Sequence, residues 1–516
     1  MSLFGVDVGT TAVKCAVVRA SVDHELLAAS YVALDDVPNV SAADAAAQVA
    51  VQGEQSVEQV LLAVHRAIAA LPREHREQIS SIGICGQMHG IMWWCSSSVP
   101  AQVQGLFVSS EQESEASDTA QQQQEQPAWS KLVTWQDQRC SPAFLEQCNN
   151  DIRQNASENG ASSTSPLATG YGLATFAHTL ANAPKSLESF DACGTIQDFI
   201  AFVLCGHHSP ANATIDTTNA FSWGGFDLQS ATWNKQTIAA LKIPFEMLPV
   251  VKKPGEIIGH VDAETLFGLP NGIPVYVPIG DHPSSVISAL VQHQQPNYRS
   301  QLETNLTLVN FGTSAQLAML LSADEVAEIQ NASKSFEIRP FLFENQFVGV
   351  AASLSGGNIY AWLVKQCQDW IQELQTTSTN PQQRQHDDGH SYKRLIDLGM
   401  AKVDTELIFT PTLNGERADL SMRGSIQQLC MTNWSLGDIS AALCKGLINN
   451  LFGMVPGELQ ASVSTRKMIG TGSALVRNDL LRHFLAARLS DPPNQLQIQH
   501  AADAAIGAAL TPVLLQ

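Results

Sequence analysis

At 516 residues the chain is too long for a single hydrophobic core, and two domains of roughly 250 residues are the natural division. Its 49 acidic against 29 basic residues give a formal charge of −20, a surface that repels nucleic acid and anionic membranes. No apolar run approaches the ~18 residues of a membrane span, and no basic leader with a small-residue cleavage site precedes the first strand.

The first predicted element is a strand through Val6-Asp7-Val8, a tight Gly9-Thr10-Thr11 turn and a second strand, Val13–Val18. Glycine lets the backbone turn and approach a ligand closely. The amides and hydroxyls that follow can donate to an anion, with Asp7 placed to hold a cation and Lys14 adding positive charge. The same residues also make a plain hairpin turn. A helix follows at Val57–Leu71, with Val57, Val60, Leu61, Val64 and Ile68 on one stripe. Next comes a buried strand, Ser81–Cys85, running into Gly86-Gln87-Met88-His89-Gly90. Hairpin, helix and strand in this order predict an α/β domain.

Ser96–Pro127 is acidic, Gln-rich and low in complexity, and is expected to be a disordered surface insertion. Asn149–Pro166 is expected to behave in the same way, and Thr376–His390 to be another polar loop. Between the first two lies Leu132–Arg139, a short strand with a polar end. A helix is expected around Thr175–Leu180, and a turn and apolar helix over Asp191–Cys205. Thr217–Trp223 reads as irregular and aromatic, a cleft wall. The strand Ile273–Ile279 then delivers Gly280-Asp281 at its end.

A second domain is expected from near Gln301. Val309-Asn310-Phe311-Gly312-Thr313-Ser314-Ala315 repeats the opening pattern of apolar, Asp/Asn, apolar, Gly, Thr, Ser/Thr, Ala. Two such hairpins point to two related domains, each offering a phosphate-gripping turn to a shared cleft. The strand Phe347–Ala352, the turn Ser355-Gly356-Gly357-Asn358 and the helix Ile359–Cys367 follow. Later come Pro411–Arg417, the helix Ile439–Leu451 and the strand Lys467–Ile469, which ends in Gly470-Thr471-Gly472-Ser473. The last helix, Ala501–Leu510, is mostly Ala and Gly and permits close packing.

No G-x-x-x-x-G-K-[ST] loop occurs, so a nucleotide would bind in the two-hairpin manner. Gly470–Ser473 suits an adenosine-binding turn or a simple helix cap, and Gly356-Gly357 a nucleotide-lining loop or a plain turn. Asp281 is either a cap residue or a base that meets a substrate hydroxyl. His89 sits on a glycine-flanked turn, as a ligand or an ordinary hydrogen-bonded histidine; Trp135 is a core residue or a ligand. There is no H-E-x-x-H, no cluster around His207-His208 and no G-x-S-x-G elbow. The ten cysteines form no C-x-x-C pair, which suits reduced thiols in a cytoplasmic protein.

Taken in order, Asp7–Thr11 with Lys14, Gly86–Gly90, Trp135–Arg139, Gly280-Asp281, Gly312-Thr313-Ser314, Gly415-Glu416-Arg417, Gly470–Ser473 and Asp503–Gly507 resemble the FGGY carbohydrate kinases. The likeness spans the chain apart from the polar insertions. It implies a two-domain, actin-like (ribonuclease H-like) ATPase fold with a deep interdomain cleft. Residues 1–295 would be the sugar-binding N-terminal domain, with the insertion at about 96–127, and 300–516 the nucleotide-binding C-terminal domain. The resemblance also implies ATP and Mg²⁺ as cofactors and a small-molecule sugar as partner. Asp7 would hold Mg²⁺, and Gly9, Thr10, Thr11 and Lys14 would meet phosphates from one side, Gly312 and Thr313 from the other. Gly357, Gly472 and Ser473 would line the adenosine pocket. Gln87, Met88, His89 and Trp135 would contact sugar, and Asp281 would be the general base. Within the family, Leu132–Ser141, Val350–Leu354 and Pro411–Arg417 resemble most the branch acting on the ketose sedoheptulose; the xylulose branch shares Met88-His89. One departure is that the family often has Asn or Gln after the aspartate, where this chain has His282-Pro283, which leaves that sugar contact unassigned. The alternative from another class is a non-catalytic actin-like ATPase or sugar sensor.

Overall fold

A computed structural model describes residues 1–21, 24–38, 53–112, 127–155, 167–228, 230–262, 267–293, 305–329, 335–343, 345–374, 388–416, 419, 421–499 and 503–515. The chain divides into two units, one of residues 1–300, 340–344 and 503–516, the other of 301–339 and 345–502.

The first unit is built on a mixed sheet. Its strands run Ile257–His260, Pro274–Tyr276, Ile79–Gly86, Ser2–Val8, Ala12–Arg19, Leu26–Ala33, with Ile279–Gly280 also paired to Ile79–Gly86. Ser2–Val8 is buried at every position, as an inner strand covered on both faces must be. The helix Val57–Ala69 begins where the Ser56 side chain accepts from the Gln59 amide at 3.2 Å. It turns the predicted stripe of Val57, Val60, Leu61, Val64 and Ile68 into the core.

The helix Ala504–Leu514 packs on this same sheet, against Ser2–Val8 and Ile79–Gly86, and on the helix Asp281–His293. The approach is as close as backbone allows. A Cβ on Gly5 would fall 1.8 Å from the Ala505 carbonyl oxygen, and one on Gly83 would fall 1.9 Å from that of Ala508. The Ala- and Gly-rich sequence is therefore a packing requirement.

The second unit carries a sheet ordered Phe336–Pro340, Gln346–Ser353, Ala315–Ser322, Leu306–Phe311, Lys467–Thr471, Leu496–Ile498. Leu306–Phe311 pairs antiparallel with Ala315–Ser322 and parallel with Lys467–Thr471. Ser2–Val8 does the same with Ala12–Arg19 and Ile79–Gly86. The sequence echo is thus a duplicated strand topology. The turns differ by one residue: Val8 pairs with Val13, leaving Gly9, Thr10, Thr11 and Ala12 between them, whereas Phe311 pairs with Ala315 around Gly312, Thr313 and Ser314.

Four expectations need correction, one of them the loop over Thr376–His390, whose described end belongs to the helix Asp388–Met400. The supposed insertion at 96–127 opens with a helix, Val99–Gln112, whose Val99, Val103 and Phe107 recur every fourth residue and are buried in the core. Composition averaged over the window hid that stripe. Asn149 belongs to a helix too, Pro142–Asn155, which precedes 156–166. Thr217–Ser222 is a short helix, not irregular chain, because the buried Asp216 carboxylate accepts from the Thr218 and Asn219 amides at 2.8 and 3.0 Å. Residues 113–126, 156–166 and 375–387 lie outside the described residues, as do Gln301, Arg417 and Ala501. Among the described residues, no helix is long and apolar enough to cross a membrane. All ten cysteines are free thiols.

Candidate active site

In the first unit the chemistry gathers at the ends of three neighbouring strands. Asp7 is the last residue but one of the first strand, Lys14 lies across from it in the register, and Cys85 is its partner on the parallel side. Lys14 Nζ stands 3.9 Å from Asp7 Oδ2, and Cys85 Sγ donates to Asp7 Oδ1 at 3.7 Å. Burial above all, then the charge of Asp281, push the Asp7 carboxyl up from 3.8 to about 7; Lys14 pulls it down and Asp503 pushes it further up. Asp7 thus feels two further carboxylates, Asp281 and Asp503. Asp281 opens the helix Asp281–His293, and one of its oxygens accepts from the His282 amide at 2.7 Å. Asp503 caps the helix Ala504–Leu514 by accepting from the Ala505 amide at 2.9 Å.

The turn itself is closed by Gly9, whose amide donates to Ala12 O at 3.0 Å, while Thr11 O accepts from the Leu34 amide at 2.9 Å. Thr10 is held twice: its hydroxyl accepts from Trp135 Nε1 at 3.1 Å and its carbonyl from Gln55 Nε2 at 2.6 Å. Trp135 is therefore brought to the phosphate-type turn. Gln55 in turn accepts from Gln87 Nε2 at 2.9 Å.

The segment after Ile79–Gly86 turns sharply at His89, which has φ of +75°. That left-handed conformation is tolerated better by His than by most side chains. It aims Nδ1 at the Ser222 carbonyl, 2.8 Å away, and lays the ring on Tyr171. Met88 is buried against Gly280, where a Cβ would fall 2.5 Å from its sulfur. A side chain on the residue before Asp281 would thus have to displace the methionine of the predicted sugar segment. Behind Trp135, Arg139 spans Asp137 at 2.8 and 3.0 Å and Glu54 at 2.7 Å.

In the second unit a pocket of about 650 Å³ is lined by Gly312, Thr313, Gly357 and Ser473, together with Tyr392, Lys393 and Arg477. That volume suits a small organic ligand. Four of the residues predicted for nucleotide share this one cavity. Gly472 stands beside it at φ +94°, and a Cβ there would fall 2.4 Å from Asn310 Oδ1 and Phe311 O, so only glycine fits. Gly357 is likewise pressed onto the Gly312 carbonyl, to which its amide donates at 2.9 Å.

Sequence reasoning passed over Gln55, Tyr171, Tyr392 and Arg477. Gln55 sits in a two-residue strand and Tyr171 in a turn, and neither carries a pattern of its own. Arg477, four residues past Ser473, lies within the range of the glycine turn and was within reach of the sequence.

The model of the FGGY family of carbohydrate kinases, N-terminal domain, matches residues 95–288. Sedoheptulokinase of Homo sapiens is 33% identical over 515 residues, covering 98% of this chain and 96% of its own length. That of Mus musculus is 32% identical over 517 residues, covering 99% and 97%. The chain belongs to the FGGY family of carbohydrate kinases. Among solved structures, a xylulose kinase from Rhodospirillum rubrum matches with a TM-score of 0.73 at 16% identity, over 99% of this chain and 89% of that one. Plasmodium falciparum glycerol kinase with ADP matches with a TM-score of 0.67 at 15% identity, over 100% and 89%. These likenesses give this FGGY kinase the actin-like ATPase fold. It is a sugar kinase, transferring a phosphoryl group from ATP to a small-molecule sugar.

Proposed function

We propose that this FGGY kinase phosphorylates sedoheptulose at its terminal primary hydroxyl, giving sedoheptulose 7-phosphate, with residues 1–295 binding the sugar and 300–516 the nucleotide. The observation that carries the reading is the 33% identity to a sedoheptulokinase over 98% of the chain. Xylulose is the second candidate, favoured by the Met88-His89 pair.

Asp281 is the general base. It takes the proton of the attacking hydroxyl as the new oxygen–phosphorus bond forms and the bond to the ADP oxygen breaks. Phosphoryl transfer proceeds through a loose transition state, so the remaining work is positioning and charge stabilisation. Gly9, Thr10, Thr11 and Lys14 serve the phosphates from one turn, Gly312 and Thr313 from the other, and Gly357, Gly472 and Ser473 line the adenosine pocket. Gln87, Met88, His89 and Trp135 form the sugar side.

The residues present fit Mg²⁺. Asp7 is a buried carboxylate whose charge is opposed by burial and by Asp281, a setting that a divalent cation relieves. Among the described residues no group of three or more His, Cys, Asp or Glu stands ready to hold a metal alone. Asp7 would hold the ion, with water and phosphate oxygens completing its ligands. Mg²⁺, when bound, supplies neutralising charge to the transferring phosphoryl group.

The test is a coupled assay with sedoheptulose, xylulose, ribulose and glycerol side by side. The highest kcat/KM is expected for sedoheptulose. A higher value for xylulose moves the assignment to the alternative, and ATP hydrolysis indifferent to every sugar moves it to the non-catalytic class.

A further inference from the structure

The Thr10 carbonyl can only accept a hydrogen bond, and that fixes the orientation of two side-chain amides in succession. Gln55 must present its NH₂ to that carbonyl, at 2.6 Å, so its Oε1 faces the other way. That oxygen accepts from Gln87 Nε2 at 2.9 Å, so Gln87 presents its own NH₂ to Gln55. Gln87 Oε1 is then left buried, with no protein partner, on a side chain of a residue only 1% exposed. A buried acceptor in that state costs about 1–3 kcal/mol until a donor reaches it. On the other side of the turn, the Trp135 indole is a donor only, so Thr10 Oγ1 accepts from it and its own hydrogen points elsewhere.

One short ribbon delivers both contacts. Glu54–Gln55 pairs antiparallel with Leu132–Val133, Gln55 opposite Leu132, and Trp135 follows Val133 by two residues. Arg139 ties the two strands together through Glu54. Gly53 accepts from the Thr134 amide and hydroxyl at 2.8 and 3.0 Å.

We propose that Gln55 is a positioning residue that sets the hydrogen-bond polarity on the sugar side, fixing Gln87 as an acceptor for a sugar hydroxyl, and that it braces the phosphate turn by donating to the Thr10 carbonyl. The proposal rests on Gln87 and Thr10 serving sugar and phosphate as stated under Proposed function. Gln55 touches neither ligand; it acts through both residues at once. Losing it changes sugar affinity and turnover together, because one amide serves the two sides.

The experiment compares Gln55→Met and Gln55→Glu with the parent enzyme on whichever sugar the parent uses best, so that a wrong sugar assignment does not touch the outcome. Met keeps the length and removes both hydrogen bonds. Glu accepts from Gln87 in either protonation state but donates to Thr10 O only when protonated. Gln55→Met is expected to raise the sugar KM and lower kcat, each by at least about tenfold, with the melting temperature within a few degrees of the parent. Gln55→Glu is expected to recover activity relative to the parent as pH falls from about 8 to about 6, since partial burial and a facing carbonyl favour its neutral form. Parent-like kinetics in Gln55→Met overturn the proposal. So does a Gln55→Glu to parent ratio that stays flat with pH.

Discussion

His89 lies flat on Tyr171, ring centroids 4.5 Å apart and planes 8° apart, while its Nδ1 faces the Ser222 carbonyl at 2.8 Å. A carbonyl accepts only, so Nδ1 carries the proton, and in the neutral ring Nε2 is the acceptor. Three constraints hold the ring: the left-handed backbone, the stack and the Ser222 bond.

His89→Asn is expected to fold with a melting temperature close to the parent, because Asn also tolerates φ of +75°. It should lower kcat/KM for sugar by about 10–100-fold, the scale of one or two lost hydrogen bonds, with KM for ATP little changed. Tyr171→Ala should give a smaller loss of the same kind, and Tyr171→Phe almost none if stacking is what positions the ring.

Replacing Asp281, the proposed base, separates chemistry from binding. Asp281→Asn is expected to lower kcat by about 10²–10⁴. Nucleotide affinity, measured by calorimetry, should stay within a few-fold of the parent. Near-parent turnover would remove Asp281 as the base.

Asp7 should make the unliganded protein more stable in mild acid. Its carboxyl titrates near 3.8 in the unfolded chain and at about 7 in the folded one. Between those values the folded protein keeps a proton that the unfolded chain has lost, so stability falls as pH rises through the window. Below both values the group makes no difference; above about 7 the full cost, of the order of a few kcal/mol, is present. Asp7→Asn should therefore raise the melting temperature of the unliganded protein at pH 8 and leave it unchanged near pH 3, while abolishing kinase activity. Thermal scans of both proteins across that range check the sign.

In the second unit Arg466 is buried at 2% side-chain exposure, paired with Glu325 and donating to Leu320 O at 2.6 Å and Ser462 Oγ at 2.9 Å. Glu325 also closes the capping box of the helix Ala323–Glu328. Glu325→Ala removes one charge-assisted hydrogen bond from the buried guanidinium, and with it the capping box, and should destabilise by about 1–3 kcal/mol, a change that urea unfolding can measure.

Gly83→Ala should be as damaging as a large core change, because the added carbon meets a helix backbone at 1.9 Å with no flexible side chain to yield. Overpacking costs about 1–3 kcal/mol in ordinary cores. Here the displaced helix also carries Asp503, so the pH dependence of activity should shift along with the melting temperature.

The periodic elements were legible in the sequence: the hairpin, its echo, the Val57 stripe and the glycine turns each impose a local pattern. The matching strand order of the two sheets followed from the echo. What escaped was held by single long-range bonds. Gln55 reaches Thr10 across 45 positions and Trp135 reaches it across 125, and no local spacing records either. The helix Val99–Gln112 escaped for a different reason, since a genuine stripe of three apolar residues was diluted by the polar run that follows it.

The helix Ala504–Leu514 lies on the glycines of the first unit's sheet, yet it is made only after residues 301–502. During synthesis the first sheet must therefore wait, one face uncovered, while an entire second unit emerges from the ribosome. At the usual pace of about 5–20 residues per second that interval is ten seconds or more, long enough for a chaperone to bind or for two nascent chains to associate. The order in which this enzyme is assembled is thus the reverse of the order in which it is written: the unit begun first is finished last.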